Sequence, residues 1–421
     1  MKKLSIILFL FTSSFLSAQR NIDYYISKAM ENSAALNELS NGILINKFQG
    51  QLDEAENSGV QISLTGNYLL APFFNNNGNL ISTSPTPDAI GYDAGITNGG
   101  LYSAQINFSK NIFNGNLLTA LKNKNYLVSQ NSVYSIELEK HNIIKSVIDS
   151  YISCLQNFQL YEAYNETIVN LNEQLNISSS LLEKGFIKAQ DYLLLKIEIK
   201  NQEINKEQTW LNFRSGLSQL NSLCGIRDTS SIIPYNLNLS YNGVISNSGY
   251  LKKYDIDSSL INSQQELFET VYNPQVNLFF NTGLNAIEIN NMQRKFGISA
   301  GVNFSFPLYD GNQKTITSQQ NEISINSIRQ NKKYFTNNLF IQLHNSIEKI
   351  NSLKEISNNL RSQIDDYKKI ISLSENQLMQ GSLSMIEYLT LQKNYTEMKK
   401  NMIISESDLQ TEINLYNYWN W

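Results

Sequence analysis

Asn111-Ile112-Phe113-Asn114-Gly115-Asn116 closes a run of alternating residues and opens a helical one, and Pro307-Leu308-Tyr309-Asp310-Gly311-Asn312 does the same again. Gly115 and Gly311 stand 196 positions apart. Gly185, followed by Asp191-Tyr192-Leu193, and Gly381, followed by Glu387-Tyr388-Leu389, are separated by the same 196. A spacing kept without insertion implies two copies of one structural unit, and so pseudo-symmetry within the chain.

Working outward, the first copy continues from Asn116 to Lys184 without a strong helix breaker, and the second from Asn312 to Gln380. Apolar residues recur every three or four positions, as at Ile144, Val147, Ile148, Tyr151, Leu155 and Phe158, and at Ile341, Leu343, Ile347, Ile350 and Leu353. Such helices would each be about 100 Å long at the α-helical rise, which implies a coiled-coil-like bundle. Gly185 and Gly381 supply the left-handed residue that ends a helix. Return helices follow over 188–223 and 384–416, making two long hairpins with tips at the two glycines. Residues 22–57 also read as one helix.

Before each Asn/Asp-Gly turn the period changes to two. Val60, Ile62 and Leu64 alternate with Gln61, Ser63 and Thr65, and Tyr102, Ala104, Ile106 and Phe108 with Ser103, Gln105 and Asn107. Val276, Leu278 and Phe280 alternate with Asn277 and Asn281, and Ile298, Ala300, Val302 and Phe304 with Ser299, Gly301 and Asn303. Four strands follow, over 60–70, 101–113, 275–284 and 296–308, each with one apolar and one uncharged polar face. Their length suits a tilted strand crossing a bilayer. A soluble sandwich with one wet face is the alternative, but it leaves the helices unexplained. The intervening loop 71–100 is rich in Asn, Gly, Pro, Ser and Thr, while its counterpart 285–295 is shorter.

Lys2-Lys3, the apolar run 4–16 and the small residues Ser17-Ala18 read as a signal peptide over 1–18, with a retained anchor as the alternative. Repeat 1 then occupies 19–226, a polar linker 227–254, and repeat 2 residues 255–421. No other apolar run approaches the length of a membrane helix, so any membrane crossing must use strands. Four strands cannot stand alone in lipid, because open edges would leave backbone N–H and C=O groups unpaired. Closure by identical chains is expected: a trimer giving twelve strands, a dimer being the weaker solution.

A net charge of −4 and the lack of a basic stripe argue against nucleic acid as a partner. Cys154 and Cys224 fall on opposite arms of the first hairpin at different heights and read as buried apolar residues rather than a disulfide. His141 and His344 are not equivalent under the 196-residue shift and have no ligand cluster beside them. No phosphate loop or nucleophile motif occurs. Catalytic residues, cofactor and metal are therefore all expected to be absent, and the chain is not expected to be an enzyme.

The order signal, helix, strand, loop, strand, Asn/Asp-Gly turn, long helix, Gly turn, helix, doubled, resembles the TolC-type outer membrane efflux proteins. Asn114-Gly115 and Asp310-Gly311 look like that family's aromatic-[Asp/Asn]-Gly signature. Glu183-Lys184-Gly185 and Met379-Gln380-Gly381, with the acids that follow, look like its tip turns. The resemblance implies a mixed α and β membrane protein: a trimeric 12-stranded barrel in the outer membrane of a Gram-negative bacterium, continued by an α-helical tunnel in the periplasm. It implies a passive exit channel of a tripartite efflux or type I secretion system, with outer membrane lipid, a periplasmic adaptor and an energised inner-membrane transporter as partners. Gly185 and Gly381 would mark the tip turns that dock the adaptor. Asp191 and Glu387, six positions after each, would ring a periplasmic gate. The other reading of both acids is that they favour the positive N-terminal ends of their helices. Thr390 and Leu383 stand where the family often has a further acid and an arginine, which puts a salt-bridge latch in doubt. A barrel-anchored surface protein without transport and a soluble periplasmic scaffold are the alternatives.

Overall fold

A computed structural model of the protein describes residues 21–69, 74, 88, 90–91, 102–228, 234, 236–241, 243, 248–286 and 289–421. The expected signal peptide and most of the loop 71–100 lie outside the described residues. The described residues fall into two compact units from interleaved stretches, one within Glu38–Ile136 and Gly249–Tyr334 and the other within Met1–Asn37, Glu137–Ser248 and Phe335–Trp421.

In order, the elements are α1 (Ile22–Asn32), α2 (Ala34–Ser58), β1 (Gln61–Tyr68), β2 (Tyr102–Phe113), α3 (Leu117–Glu183), α4 (Ala189–Leu223), α5 (Lys252–Glu269), β3 (Gln275–Ala286), β4 (Phe296–Ser305), α6 (Gln313–Met379) and α7 (Met385–Trp419). Short 3₁₀ turns occupy Gly249–Leu251, Thr270–Tyr272 and Ile289–Arg294. Both long helices have 67 residues and both return helices 35.

The first unit is built on a single antiparallel sheet in the order β1-β2-β3-β4. Its registers pair Asn107 with Ser63 and Asn281, and Asn281 with Ser299, so the polar alternation of each strand falls on one face. A bulge at Asn111/Phe113 ends the β2–β3 ladder beside the strand-to-helix turn. At that turn Asn116 has φ 68°, and at the second turn Asn312 has φ 67°. Asn tolerates this left-handed conformation better than other non-glycine residues. Helix α2 lies against the start of α3, with Asn46 Nδ2 donating to Ser132 Oγ at 3.1 Å and Lys122 paired with Glu54 at 3.3 Å.

In the second unit the helices pack through separate apolar clusters. Tyr25 and Ala29 of α1 meet Val147 and Tyr151 of α3 and Leu220 and Cys224 at the end of α4. Cys154 belongs to a different cluster, with Phe158, Phe213 and Leu217. Leu339, Leu343 and Ile350 of α6 pack on Ile413 and Tyr416 of α7. Each fully buried side chain of this size contributes about 1.5–3 kcal/mol.

Three expectations need correction. The helix expected over 22–57 is two helices, since Ser33 is extended (φ −68°, ψ 115°) and its hydroxyl accepts the Leu36 N–H at 3.2 Å, starting α2 afresh. The linker expected over 227–254 is shorter, because α5 begins at Lys252, and part of it is structural. Leu239 and Tyr241 pack on the α6–α7 cluster, and the Leu239 N–H donates to Gln410 Oε1 at 2.6 Å. The strand expected over 296–308 stops at Ser305, two residues before Pro307, which has no N–H to give to a ladder.

Candidate functional site

The two hairpin tips are built the same way. Gly185 (φ 75°) follows α3, its N–H donating to the Leu182 carbonyl at 3.0 Å and the Phe186 N–H to that of Leu181 at 2.9 Å. Gly381 (φ 72°) repeats this, with its N–H on Leu378 at 3.1 Å and that of Ser382 on Gln377 at 2.9 Å. These paired bonds satisfy carbonyls that the helix end leaves free, and they require the left-handed residue. Beside the tips, Leu171, Leu195, Ile199, Leu378, Met385 and Tyr388 form one buried cluster. Tyr388 is fully buried, so burial raises its hydroxyl above the usual tyrosine range, and Gln392 donates to it at 2.8 Å. Leu383 packs against this cluster.

Each of the two tip acids faces its own helix start. Glu387 accepts the Ser384 N–H at 3.0 Å and the Ser384 hydroxyl at 2.8 Å, while the Glu387 N–H donates to Ser384 Oγ at 3.2 Å. This reciprocal box caps α7. The Ser384 N–H, then the Ser384 hydroxyl, holds the exposed Glu387 carboxyl below the usual carboxylate range. At α4 only half of the box can form: Asp191 accepts the Lys188 N–H at 3.3 Å, but the Lys188 side chain carries no acceptor. Among the described residues neither carboxylate makes an ion pair, and no bond joins the two within one chain. Thr390 turns its hydroxyl back to the Ile386 carbonyl at 2.8 Å.

The sheet presents a second candidate surface. Its polar face carries Gln61, Ser63, Thr65 and Asn67 on β1, Gln105, Asn107 and Ser109 on β2, Asn277 and Asn281 on β3, and Ser299 and Asn303 on β4. The Asn107 amide donates to Thr65 Oγ1 at 2.7 Å across the strands. The opposite face is apolar and bare: Leu64 is 77 % exposed, Ile298 72 % and Phe304 69 %. Among the described residues, the outer strands β1 and β4 each leave one edge unpaired.

One arrangement was not legible in the sequence. The His141 ring lies between Tyr418 and Trp421, with centroids 4.9 Å from each, and its Nε2 is 2.8 Å from the Tyr418 carbonyl. Burial lowers its pKa against the opposing pull of that carbonyl. The aromatic residues Tyr416, Tyr418, Trp419 and Trp421 are the sequence signal for such a contact, but they name no partner. No group of three potential metal-ligating side chains occurs among the described residues.

No family profile and no curated protein matches the sequence. Solved structures do match. CusC superposes with a TM-score of 0.75 at 12 % identity, over 96 % of this chain and 92 % of that one. The outer membrane protein VceC of Vibrio cholerae gives 0.71 at 12 % identity, over 95 % and 96 %. The CmeC outer membrane channel of Campylobacter jejuni gives 0.72 at 13 % identity, over 95 % and 86 %. Doubled hairpins, one four-stranded antiparallel sheet and these superpositions together lead to one conclusion: the protein has the TolC-type outer membrane channel fold.

Proposed function

We propose that the chain is one subunit of a passive exit channel in the outer membrane of a Gram-negative bacterium. The observation that carries this reading is the sheet. One face is a band of exposed large apolar side chains, which water disfavours and hydrocarbon accepts. The other is a continuous field of amides and hydroxyls suited to water. The free edges of β1 and β4 need partners in lipid, and three copies would supply them in a twelve-stranded barrel wide enough to hold water. The four-stranded sheet and the fold shared with outer membrane channels support this reading.

In this reading the helices of three chains form the tunnel. The tip turns at Gly185 and Gly381 dock a periplasmic adaptor, and an inner-membrane transporter supplies the energy. Asp191 and Glu387 give six carboxylates per trimer near the tips, a ring that attracts cations. Their capping bonds fix the position of those charges and leave the charge itself in place. The test is conductance of the purified protein in planar bilayers, alongside electrophoresis with and without heating. Heat-dissociable trimers that open discrete channels support the proposal. A monomer that never conducts overturns it.

A further inference from the structure

Resting on that channel reading, we propose that the strand-lined section of the pore is electrically neutral and admits polar solutes regardless of the sign of their charge. Charge selection then belongs to the parts of the conduit outside the strands. The sequence of the strands and their register carry the inference. β1, β3 and β4 contain no Asp, Glu, Lys, Arg or His. The single charged strand residue is Lys110 of β2, which pairs with Leu278 and so belongs to the apolar face. It stands three residues before the end of β2, from where a long side chain reaches water. On the polar face the cross-strand rows read Ser63–Asn107–Asn281–Ser299 and Asn111–Asn277–Asn303. Amides and hydroxyls of this kind both donate and accept, so they hydrate either sign of ion without a fixed bias. A ring of like charges would instead raise the local concentration of the opposite ion.

Among the described paired positions, one apolar side chain stands on this face, and the fold keeps it out of the way. Phe279 pairs with Gly301, and a Cβ placed on Gly301 would come 2.5 Å from the Phe279 ring. The ring therefore lies over the neighbouring strand, in the space that a side chain at 301 would fill. The face then stays polar at the level where an upright ring would narrow it.

The test places a single thiol at mid-strand in the full-length protein, as Asn281→Cys, and labels it with a cationic and an anionic methanethiosulfonate. Ser299→Cys, its cross-strand neighbour, serves if the first variant assembles poorly. The native thiols stay silent: Cys154 and Cys224 are buried, and burial pushes them up to about 12 and about 11. In a neutral pore both reagents react, with a rate ratio within about threefold of that for a free thiol. A ratio displaced by about tenfold or more in either direction overturns neutrality and leaves the channel reading standing. Labelling of Ile298→Cys in place of Asn281→Cys overturns both, because the apolar face would then be the wet one.

Discussion

The Tyr272 hydroxyl donates a 2.6 Å hydrogen bond to the Asp310 carboxylate. The same carboxylate accepts the N–H groups of Asn312 and Lys314 at 2.9 and 2.8 Å, so it caps α6 while it holds Tyr272, three residues before β3 begins at Gln275. The next residue, Asn273, donates to the Gly115 carbonyl at 2.6 Å. Two adjacent side chains thus clasp the two strand-to-helix turns, one each. The Tyr272 bond, then the Lys314 N–H, holds the Asp310 carboxyl below its ordinary value of 3.8. The same bond pushes the Tyr272 hydroxyl up to about 12. A depressed carboxyl stabilises the fold above its unfolded pKa and loses that contribution as pH falls through its folded value. If the chain assembles as the proposed trimer, Asp310→Asn should therefore lower its dissociation temperature at neutral pH. The gap from the wild type should hold down to about pH 5 and close below 3.8. Heat-dissociation electrophoresis across this range checks it, and a gap that widens in acid contradicts the capping role.

The paired turns differ in what surrounds their glycines. Gly311 (φ 68°) has open space where a Cβ would stand, whereas a Cβ on Gly115 (φ 54°) would meet that of Asn273 at 2.1 Å. Gly311→Ala should cost only the left-handed backbone penalty, about 1–2 kcal/mol. Gly115→Ala should add about 1–3 kcal/mol of overpacking and displace the Asn273 bond. Denaturant titration of the two variants should rank them in that order. Equal loss would mean that the Asn273 clasp carries nothing.

Capping and charge can be separated at the tips. Glu387→Gln keeps an acceptor for the Ser384 N–H and removes the charge, and Asp191→Asn does the same for Lys188. Paired, they should weaken cation preference in reversal-potential measurements while leaving helix content unchanged. Ser384→Ala does the reverse: it removes the hydroxyl half of the cap and keeps the carboxylate. Its ion preference should match the wild type. Selectivity that survives the amide pair would make both acids helix-end residues alone.

Glu412 is a carboxylate sunk between α6 and α7, accepting the Ser346 hydroxyl at 2.6 Å and pairing with Lys349 at 2.7 Å. Lys349 is largely exposed, so its ion pair is screened, yet removing it leaves a buried oxygen short of a partner. Lys349→Met should cost about 1–3 kcal/mol, and the Glu412→Gln, Lys349→Met double variant less than the sum of the two. A double-mutant cycle in urea measures the coupling.

How much of this was legible follows from where each signal resides. The strands showed because one face alternates with the other at period two. The long helices showed because no proline or glycine interrupts them, and their ends showed because only Gly or Asn sits easily at φ 54–75°. The break at Ser33 did not show, since one serine in a helical pattern gives no period change. The Tyr272–Asp310 and Asn273–Gly115 bonds join residues 38 and 158 positions apart, and no local pattern encodes such a meeting. For Asp191 and Glu387, position was legible and the capping bonds were not separable from the proposed gate role, because an acid at the third helical position fits either reading.

The Phe279–Gly301 pair yields a prediction that joins packing to conduction. Gly301→Val puts a branched side chain where the Phe279 ring lies, and the ring must rotate off the neighbouring strand. The sheet should lose about 1–3 kcal/mol, as overpacked sites do. If this face lines the pore, the displaced ring stands in the bore, so single-channel conductance should fall with no shift in reversal potential. Adding Phe279→Ser to Gly301→Val should restore conductance, because the obstruction and its cause are then removed together. A conductance unmoved by Gly301→Val, in protein that still folds and assembles as the wild type does, would place the ring outside the conducting path.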